Sequence, residues 1–382
     1  TMPSNGWFWL QTTGSYTGLN VEVDNVSIIE ITDDTDLPRI NYTNFDYENG
    51  VVVPYSGEGS LLLENQSTNL YTYSEDFSQS VWNKLNCNVT LTSEVAPNGN
   101  ANSVYNLTGT SANLYTSGSP NIEHTISFYI KSNGQGKDKF KLRLGNDVSM
   151  EYTATNKWVR YEFTSTPTTT VFGITTSSAP NNEFNLLVWG SQSEALSYAT
   201  SYIPTEGSIK TRLADVCNNS GNSDLINSTE GVLYAEIAAL VNDSSVREIS
   251  LSDGTANNRI ELRYGAASNR LQLVIRSSGS VQASISNSDY DILLSNKVAI
   301  KYKANDFALW INGVEVGTDT SGSVPTSLSE LAFDDGNNTS NFYGNVKCVA
   351  VFKEALTDAE LESLTSWVSF VEMATDLEYT IE

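Results

Sequence analysis

Basic residues are scarce in this sequence of 382 residues. Lys and Arg together number 21 against 45 Asp and Glu, which gives a formal net charge of −24. Nucleic-acid binders gain affinity by neutralising phosphates with basic side chains, so this balance excludes nucleic acid as the partner. The same charge disfavours binding to anionic membranes.

Cysteine and histidine are also rare. Cys87, Cys217 and Cys348 are odd in number and lie far apart, with no Cys-x-x-Cys pair among them. This spacing excludes a disulfide scaffold and a cysteine-based zinc site. The single histidine, His124, has no histidine partner for a metal, so we expect it to be a structural or surface residue.

Long apolar runs are missing too. No run reaches the ~18 residues of a membrane span, so no membrane insertion is expected. Residues 1–20 lack the charged start and apolar core of a signal peptide, and we expect the chain to begin inside a longer protein. Leu-rich and Ala-rich stretches are absent, whereas Asn, Ser, Thr, Gly and Tyr are frequent. This is a β composition, and its 39% hydrophobic residues are enough for real cores.

Short runs with alternating apolar residues recur along most of the chain, as in 124–131, where Ile126, Phe128 and Ile130 share one face. No helical pattern separates these runs, which favours tandem antiparallel β-sandwiches. Polar breaks near 32–38 and 215–228 divide the chain into three segments. We predict the end of a preceding sandwich plus a linker in 1–36, a jelly roll in 37–215 and a second sandwich in 216–382.

Two local motifs predict particular elements. Asn312-Gly313 lies between two alternating runs, and this dipeptide suits the left-handed backbone of a type I′ hairpin. Thr357 and Glu360 have the spacing of a capping box, and apolar residues at helical intervals follow them. We therefore expect one short C-terminal helix in an otherwise all-β chain.

Two segments, 59–84 (GSLLLENQSTNLYTYSEDFSQSVWNK) and 191–215 (SQSEALSYATSYIPTEGSIKTRLAD), resemble the start and finish of a carbohydrate-binding-like jelly-roll module of bacteriophage tail-fibre and appendage proteins. The segment 229–366 resembles a laminin-G-like, concanavalin A-like sandwich, with ISLSDGTANNRIELRY and YGNVKCVAVFKEALTDAELESLTS among its matching runs. The fold expected from these resemblances is a jelly roll followed by a concanavalin A-like sandwich.

The resemblance implies a non-enzymatic tail or head fibre protein located in the virion. Its expected partners are a bacterial cell-surface polysaccharide and other virion proteins, and viral fibres usually close as homotrimers. One alternative is a secreted or cell-surface bacterial adhesin that binds polysaccharide. Another is an accessory module of a polysaccharide-degrading enzyme, because this fold supports several functions.

Catalysis by a glycoside hydrolase of this fold needs paired carboxylates on one strand face. The nearest match to Glu-x-Asp-x-x-Glu begins at Glu22 and Asp24, but Ser27 takes the third position and the segment lies outside 229–366. We therefore expect no enzyme activity.

A sugar site needs an exposed aromatic ring beside amides and carboxylates, because pyranose faces stack on rings and hydroxyls bond planar polar groups. In the run 307–311, Phe307, Leu309 and Ile311 share one face, so Trp310 points to the other. Trp310 is thus a candidate platform, although it can instead pack under a loop or against a neighbouring domain or subunit. The predicted ligand-binding residues are Trp310, Asn312, Asn337 and Tyr343.

Calcium is the one cofactor that the sequence suggests. Asp334 and Asp335 lie on a predicted polar loop, and Ca²⁺ takes six to eight oxygen ligands. An ordinary polar turn is the alternative for these two residues.

Overall fold

Strands make up nearly all the regular structure in the computed structural model, which describes residues 39–367 except 43, 49–50, 57–58 and 181. All of them belong to one compact unit, Thr35–Glu382. The predicted end of a preceding sandwich in 1–36, with Glu22 and Asp24, lies outside the described residues.

The strands fall into three successive groups along the chain. The first group is β1 (Arg39–Asn41), β2 (Asn44–Glu48), β3 (Val51–Ser56) and β4 (Ser60–Leu63). The second is β5 (Ser67–Asn69), β6 (Asn83–Leu91), β7 (Tyr105–Ser117), β8 (His124–Ser132), β9 (Lys139–Leu144), β10 (Asp147–Val148), β11 (Tyr152–Thr153), β12 (Val159–Ser165), β13 (Val171–Thr176), β14 (Glu183–Glu194) and β15 (Lys210–Arg212). The third is β16 (Glu230–Ala239), β17 (Arg247–Ser252), β18 (Arg259–Tyr264), β19 (Leu271–Ser277), β20 (Ser280–Asn287), β21 (Asn296–Lys303), β22 (Phe307–Ile311), β23 (Val314–Asp319), β24 (Glu330–Ala332) and β25 (Gly344–Phe352), and it is followed by helix α1 (Asp358–Ser366).

The second group builds the first sandwich. Its main sheet has the order β10-β9-β13-β7-β14-β8-β12, with β6 on β7 and β11 on β9, and β15 pairs with β5 in a separate ribbon. The alternation read from the sequence decides which side chains face inward: Ile126, Phe128 and Ile130 are all fully buried in one core. His124 is buried as well, edge-to-face against Phe172 with ring centroids 4.9 Å apart.

The third group builds the second sandwich from two antiparallel sheets. One has the order β1-β4-β25-β16-β21-β22-β23 and the other β20-β19-β18-β17-β24. Phe307, Leu309 and Ile311 point into the core between them, as their spacing predicts. The all-β, tandem-sandwich fold is confirmed.

Strands β1 and β4 join the second sandwich although they precede the first one in the chain. Leu61 of β4 pairs with Val346 of β25, and Ile40 of β1 pairs with Leu61. Pairing over such a separation leaves no local trace in the sequence, so the predicted division at 37–215 does not anticipate it. The domain limits themselves stay a prediction.

Both local motifs are confirmed. Asn312 and Gly313 have φ values of 50° and 82°, and Ile311 pairs with Val314 across the turn. The Thr357 hydroxyl accepts from the Glu360 backbone N–H, while the Glu360 carboxylate accepts from the Thr357 N–H at 2.7 Å. Among the described helices none is long and apolar enough for a membrane span.

Candidate functional site

Trp310 points away from the core of the second sandwich, as predicted, but it is not an exposed platform. Its side chain is 5% exposed and packs with Tyr234 and Ala299 of the same sheet and with Leu361 and Leu364 of α1. The expectation of an exposed ring is wrong because α1 covers this face of the sheet. Trp310 is a packing residue, as in the alternative, although it packs under α1 and not under a loop or a neighbouring domain or subunit.

The loop that carries Asp334 and Asp335 is held by these carboxylates themselves. Asp335 Oδ1 accepts from the backbone N–H groups of Asn337 and Thr339, each at 3.0 Å, and Asp335 Oδ2 forms an ion pair with Arg259 at 3.0 Å. Asp334 Oδ1 accepts from the Gly336 N–H at 2.6 Å. Both aspartates are buried.

These bonds determine how the two aspartates ionise. Burial raises the pKa of Asp334, and the Gly336 N–H only partly offsets it. Burial is the largest single influence on Asp335 and acts to raise its pKa, but the hydrogen bonds from Thr339, Arg259 and Asn337 together outweigh it and lower the pKa. No group of three or more His, Cys, Asp or Glu side chains fit to hold a metal occurs among the described residues. The geometry here is that of a polar turn.

The other predicted ligand residues do not converge. Asn312 donates to Asn296 Oδ1 at 2.9 Å beside the hairpin, whereas Tyr343 accepts from Asn341 at 3.2 Å next to β25. Two strands, β16 and β21, separate β25 from β22 in the sheet, which places these two strands about 14 Å apart. Asn337 is exposed on the loop. One small ligand cannot contact all of them.

A cleft of about 730 Å³ opens instead in the first sandwich. Its walls come from three segments, 73–79, 102–105 and 204–210. Tyr73 and Glu206 form an antiparallel bridge, and the Gly207 N–H donates to the Thr72 carbonyl at 2.7 Å. Its volume falls within the usual range for small-ligand sites.

Gly207 has a conformational reason to be glycine. Its φ is +89°, and a Cβ at this position would lie 3.4 Å from the Tyr73 hydroxyl. A side chain there would be strained by this left-handed backbone, although its Cβ would make only an ordinary van der Waals contact with Tyr73. The glycine therefore lets the 204–210 segment adopt this backbone conformation next to the Tyr73–Glu206 bridge.

Asp76 braces the cleft wall. Its Oδ1 accepts from the Tyr105 hydroxyl at 2.6 Å and from the Ser78 N–H at 2.9 Å, and its Oδ2 accepts from Gln79 at 2.8 Å. Burial opposes ionisation, but these hydrogen bonds prevail and lower the pKa of Asp76 to about 2. Asp76 thus stays charged and fixes the positions of Tyr105 and Gln79.

Two further carboxylates, Glu75 and Glu206, line the cleft. Glu75 is half-buried, and its Oε1 accepts from the Tyr202 hydroxyl at 3.1 Å, whereas Glu206 is exposed. Burial is the largest cause of the raised pKa of Glu75; the Tyr202 hydroxyl opposes it and the Glu206 charge adds to it. The buried Ser103 hydroxyl in the lining has no hydrogen-bond partner within the described residues.

This combination of an aromatic ring, amides, carboxylates and an unpaired hydroxyl can bind a polar ring-shaped ligand. The sequence analysis did not identify the cleft, because Tyr73 and Glu206 are remote in the chain. A signal was available, since the cleft walls at 73–79 and 204–210 lie inside the two segments that carry the jelly-roll resemblance.

A layer of charge lies on the outer face of the five-stranded sheet. Glu248 and Glu261, on neighbouring strands, both pair with Arg263, at 3.5 and 3.4 Å. Glu261 also pairs with Arg259 at 2.5 Å and Arg276 at 3.0 Å. The two glutamates are only 3% and 0% exposed. This carboxylate pair escaped the sequence search because its members lie on different strands, and the arginines shield it from a substrate.

Most of the second sandwich matches a known family model. Residues 235–362 match the family Laminin_G_3, described as the concanavalin A-like lectin/glucanases superfamily. No curated protein matches the chain.

Three solved structures show distant likenesses to parts of this chain. The CBM40 of the Ruminococcus gnavus IT-sialidase bound to α2,3 sialyllactose is 18% identical with a TM-score of 0.32, covering 36% of this chain and 84% of its own. Domain 4 of the arabinanase AbnA from Geobacillus stearothermophilus is 16% identical with a TM-score of 0.32, covering 44% and 80%. The SAP-like pentraxin of Limulus polyphemus is 15% identical with a TM-score of 0.32, covering 39% and 74%. Likeness at this level says nothing about ligands.

Proposed function

We propose that this protein is a non-enzymatic glycan-binding component of a bacteriophage tail or head fibre, and that the cleft of the first sandwich binds a polysaccharide of the bacterial surface. The observation that carries the proposal is the cleft itself. It combines the half-buried ring of Tyr73, the carboxylates of Glu75 and Glu206 and amide groups in one concave site. The concanavalin A-like family of residues 235–362 includes lectins, which supports the same class of ligand.

The assignment to a fibre rests on the sequence resemblance of 59–84 and 191–215 to phage appendage modules. We propose a homotrimer located in the virion. Labelling intact particles with antibody to this chain should place it on an appendage, and light scattering should give three times the mass of the chain. A secreted bacterial adhesin or an enzyme's accessory module, the alternatives, would give no labelled particle.

The absence of catalysis is supported by the ion pairs and hydrogen bonds that already occupy two of the buried or cleft-lining carboxylates. Glu261 is fully buried and shared among three arginines, and Asp76 uses both of its oxygens in the cleft wall. Glycoside hydrolysis needs an acid and a base or nucleophile on opposite sides of the scissile bond. Purified protein should release no reducing ends from host capsule; release that Glu261→Gln abolishes would contradict this.

Binding is tested by truncating the ring in the cleft. Tyr73→Ala should weaken binding of host-surface polysaccharide by ~1–2 kcal/mol, a factor of about 5 to 30, because it removes the stacking surface. Isothermal titration of the purified polysaccharide measures the effect. Glu206→Ala, at an exposed position of the 204–210 segment, should weaken binding without affecting the fold.

Tyr115→Ala is the matched control, because Tyr115 is also half-buried in the first sandwich but lies outside the cleft lining. It should leave the affinity unchanged. Melting temperatures separate lost binding from lost structure. If Tyr73→Ala and Glu206→Ala both fold and bind like the parent protein, the cleft is not the glycan site.

A further inference from the structure

The charged side chains that line the cleft are mostly acidic. Glu75, Asp76 and Glu206 all line it, and Lys210 is the one basic residue among the described residues of the lining. The chain as a whole has a net charge of −24. The potential in the cleft is therefore negative, and a uronic, sialic or sulfated sugar would be repelled from it.

The three carboxylates have different roles in the cleft. Asp76 is saturated by hydrogen bonds from Ser78, Gln79 and Tyr105, so it shapes the wall. Glu206 is exposed, and Glu75 holds one hydrogen bond from Tyr202. Glu75 and Glu206 therefore have acceptor capacity left for a ligand. Because the bridge between Tyr73 and Glu206 brings their segments together, the two charges also repel each other.

We propose that the cleft selects a glycan with a free ammonium group, such as a hexosamine that lacks its N-acetyl group. The proposal rests on the proposed function of the same cleft and specifies its ligand. An ammonium has three donors and a positive charge, so it can bond Glu75 and Glu206 together and cancel their repulsion. The Tyr73 ring offers the sugar a stacking face and the cation an attractive π surface. A neutral N-acetyl sugar can donate hydrogen bonds to the carboxylates but leaves their two negative charges uncompensated.

The test uses two oligosaccharides that differ only in this group: a tetramer of β-1,4-linked glucosamine and the matching tetramer of N-acetylglucosamine. Titrations are made at a pH below the pKa of the sugar ammonium. The glucosamine tetramer should bind at least tenfold more tightly. Glu206→Gln, which keeps the shape of the side chain, should reduce this preference several-fold.

Two controls separate the site from the general attraction of a cation to an acidic protein. Glu123→Gln removes the same charge from an exposed position outside the cleft lining and should leave the preference unchanged. Tyr73→Ala keeps the net charge and should still weaken binding of the glucosamine tetramer. A glucosamine preference that survives Tyr73→Ala and Glu206→Gln would be bulk attraction and would overturn the proposal.

The outcomes also separate this inference from the proposed function. If the N-acetylated tetramer or an oligogalacturonate binds as well as the glucosamine tetramer and depends on Tyr73, the cleft binds glycans but the ammonium selection is wrong. If Tyr73→Ala changes the binding of no oligosaccharide or host polysaccharide, the proposed function fails, and the ammonium selection fails with it.

Discussion

The pKa of Glu248 depends strongly on the buried sheet face that its side chain occupies. It lies on the outer face of β17, 3% exposed, and one of its carboxylate oxygens has no hydrogen-bond partner within the described residues. Burial is the main cause that raises its pKa to about 7, and the neighbouring Glu261 charge adds to the shift while Arg263 and Arg259 oppose it. The folded protein therefore holds a proton on Glu248 under conditions where the unfolded chain has lost it.

This shift gives stability a definite pH dependence. Between the ordinary pKa of 4.5 and the folded value of about 7, the folded state binds more protons than the unfolded state, so the free energy of unfolding falls as pH rises. The stabilising contribution is complete below the lower value and lost above the upper one. Glu248→Gln cannot ionise and should remove ~2–3 kcal/mol of this decline. Urea unfolding of both proteins across the window measures it.

Glu123→Gln is the control for the pH experiment, because Glu123 is exposed. It should show the same decline as the parent protein. An identical decline in Glu248→Gln would mean that other groups cause it and that Glu248 ionises normally in the folded state.

At the scale of elements, α1 makes the sheet face beneath it a buried packing surface. Its capping box fixes where the helix begins, and Leu361 and Leu364 then lie against Trp310 and Tyr234. The last turn is tied to the hairpin as well, since the Gly313 N–H donates to the Thr365 hydroxyl at 3.0 Å. The helix thus covers the part of the outer face formed by β21, β22 and β23.

Trp310→Ala should therefore act on stability. Removing this ring from beneath α1 deletes a large buried side chain, with an expected cost of ~3–5 kcal/mol in the free energy of unfolding. Leu294→Ala, at a side chain that is 64% exposed, should change stability by at most ~0.5 kcal/mol. A Trp310→Ala protein that keeps its stability but loses glycan binding would restore the predicted platform.

The sequence predicts the features that depend on residues close together in the chain, and it misses those that depend on remote segments. The Asn312-Gly313 turn and the Thr357 capping box are decided by neighbouring residues, and both are confirmed. The face of Trp310 also follows from strand alternation. Its burial does not, because that depends on where α1 packs. The cleft and the pairing of β4 with β25 depend on contacts between remote segments. The jelly-roll resemblance marks two walls of the cleft, whereas no local pattern encodes the strand pairing.

At the scale of the molecule, the chain crosses from the second sandwich to the first after β4 and returns after β15. These two crossings meet in one buried polar cluster. Glu64 directly follows β4 of the second sandwich, and Arg212 ends β15, which pairs with β5. Arg212 is fully buried between Glu64 at 3.1 Å and Asp215 at 3.4 Å. Backbone groups complete the cluster: the Glu64 N–H donates to Asp215 at 2.7 Å and the Ser201 N–H to Glu64 at 2.8 Å.

Arg212→Ala should destabilise both crossings together. Taking one cation from a buried cluster leaves two carboxylates without compensation, at an expected cost of ~3–5 kcal/mol. Lys137→Ala breaks a pair with Glu183 that is about half exposed, and should cost at most ~1 kcal/mol. Urea unfolding measures the two costs.

Hydrogen exchange should show faster opening of the β4–β25 pair as well as of the β5–β15 pair, because each strand pair ends next to the cluster. Faster exchange in only one of them would mean that Arg212 stabilises a single sandwich and that the crossings open independently.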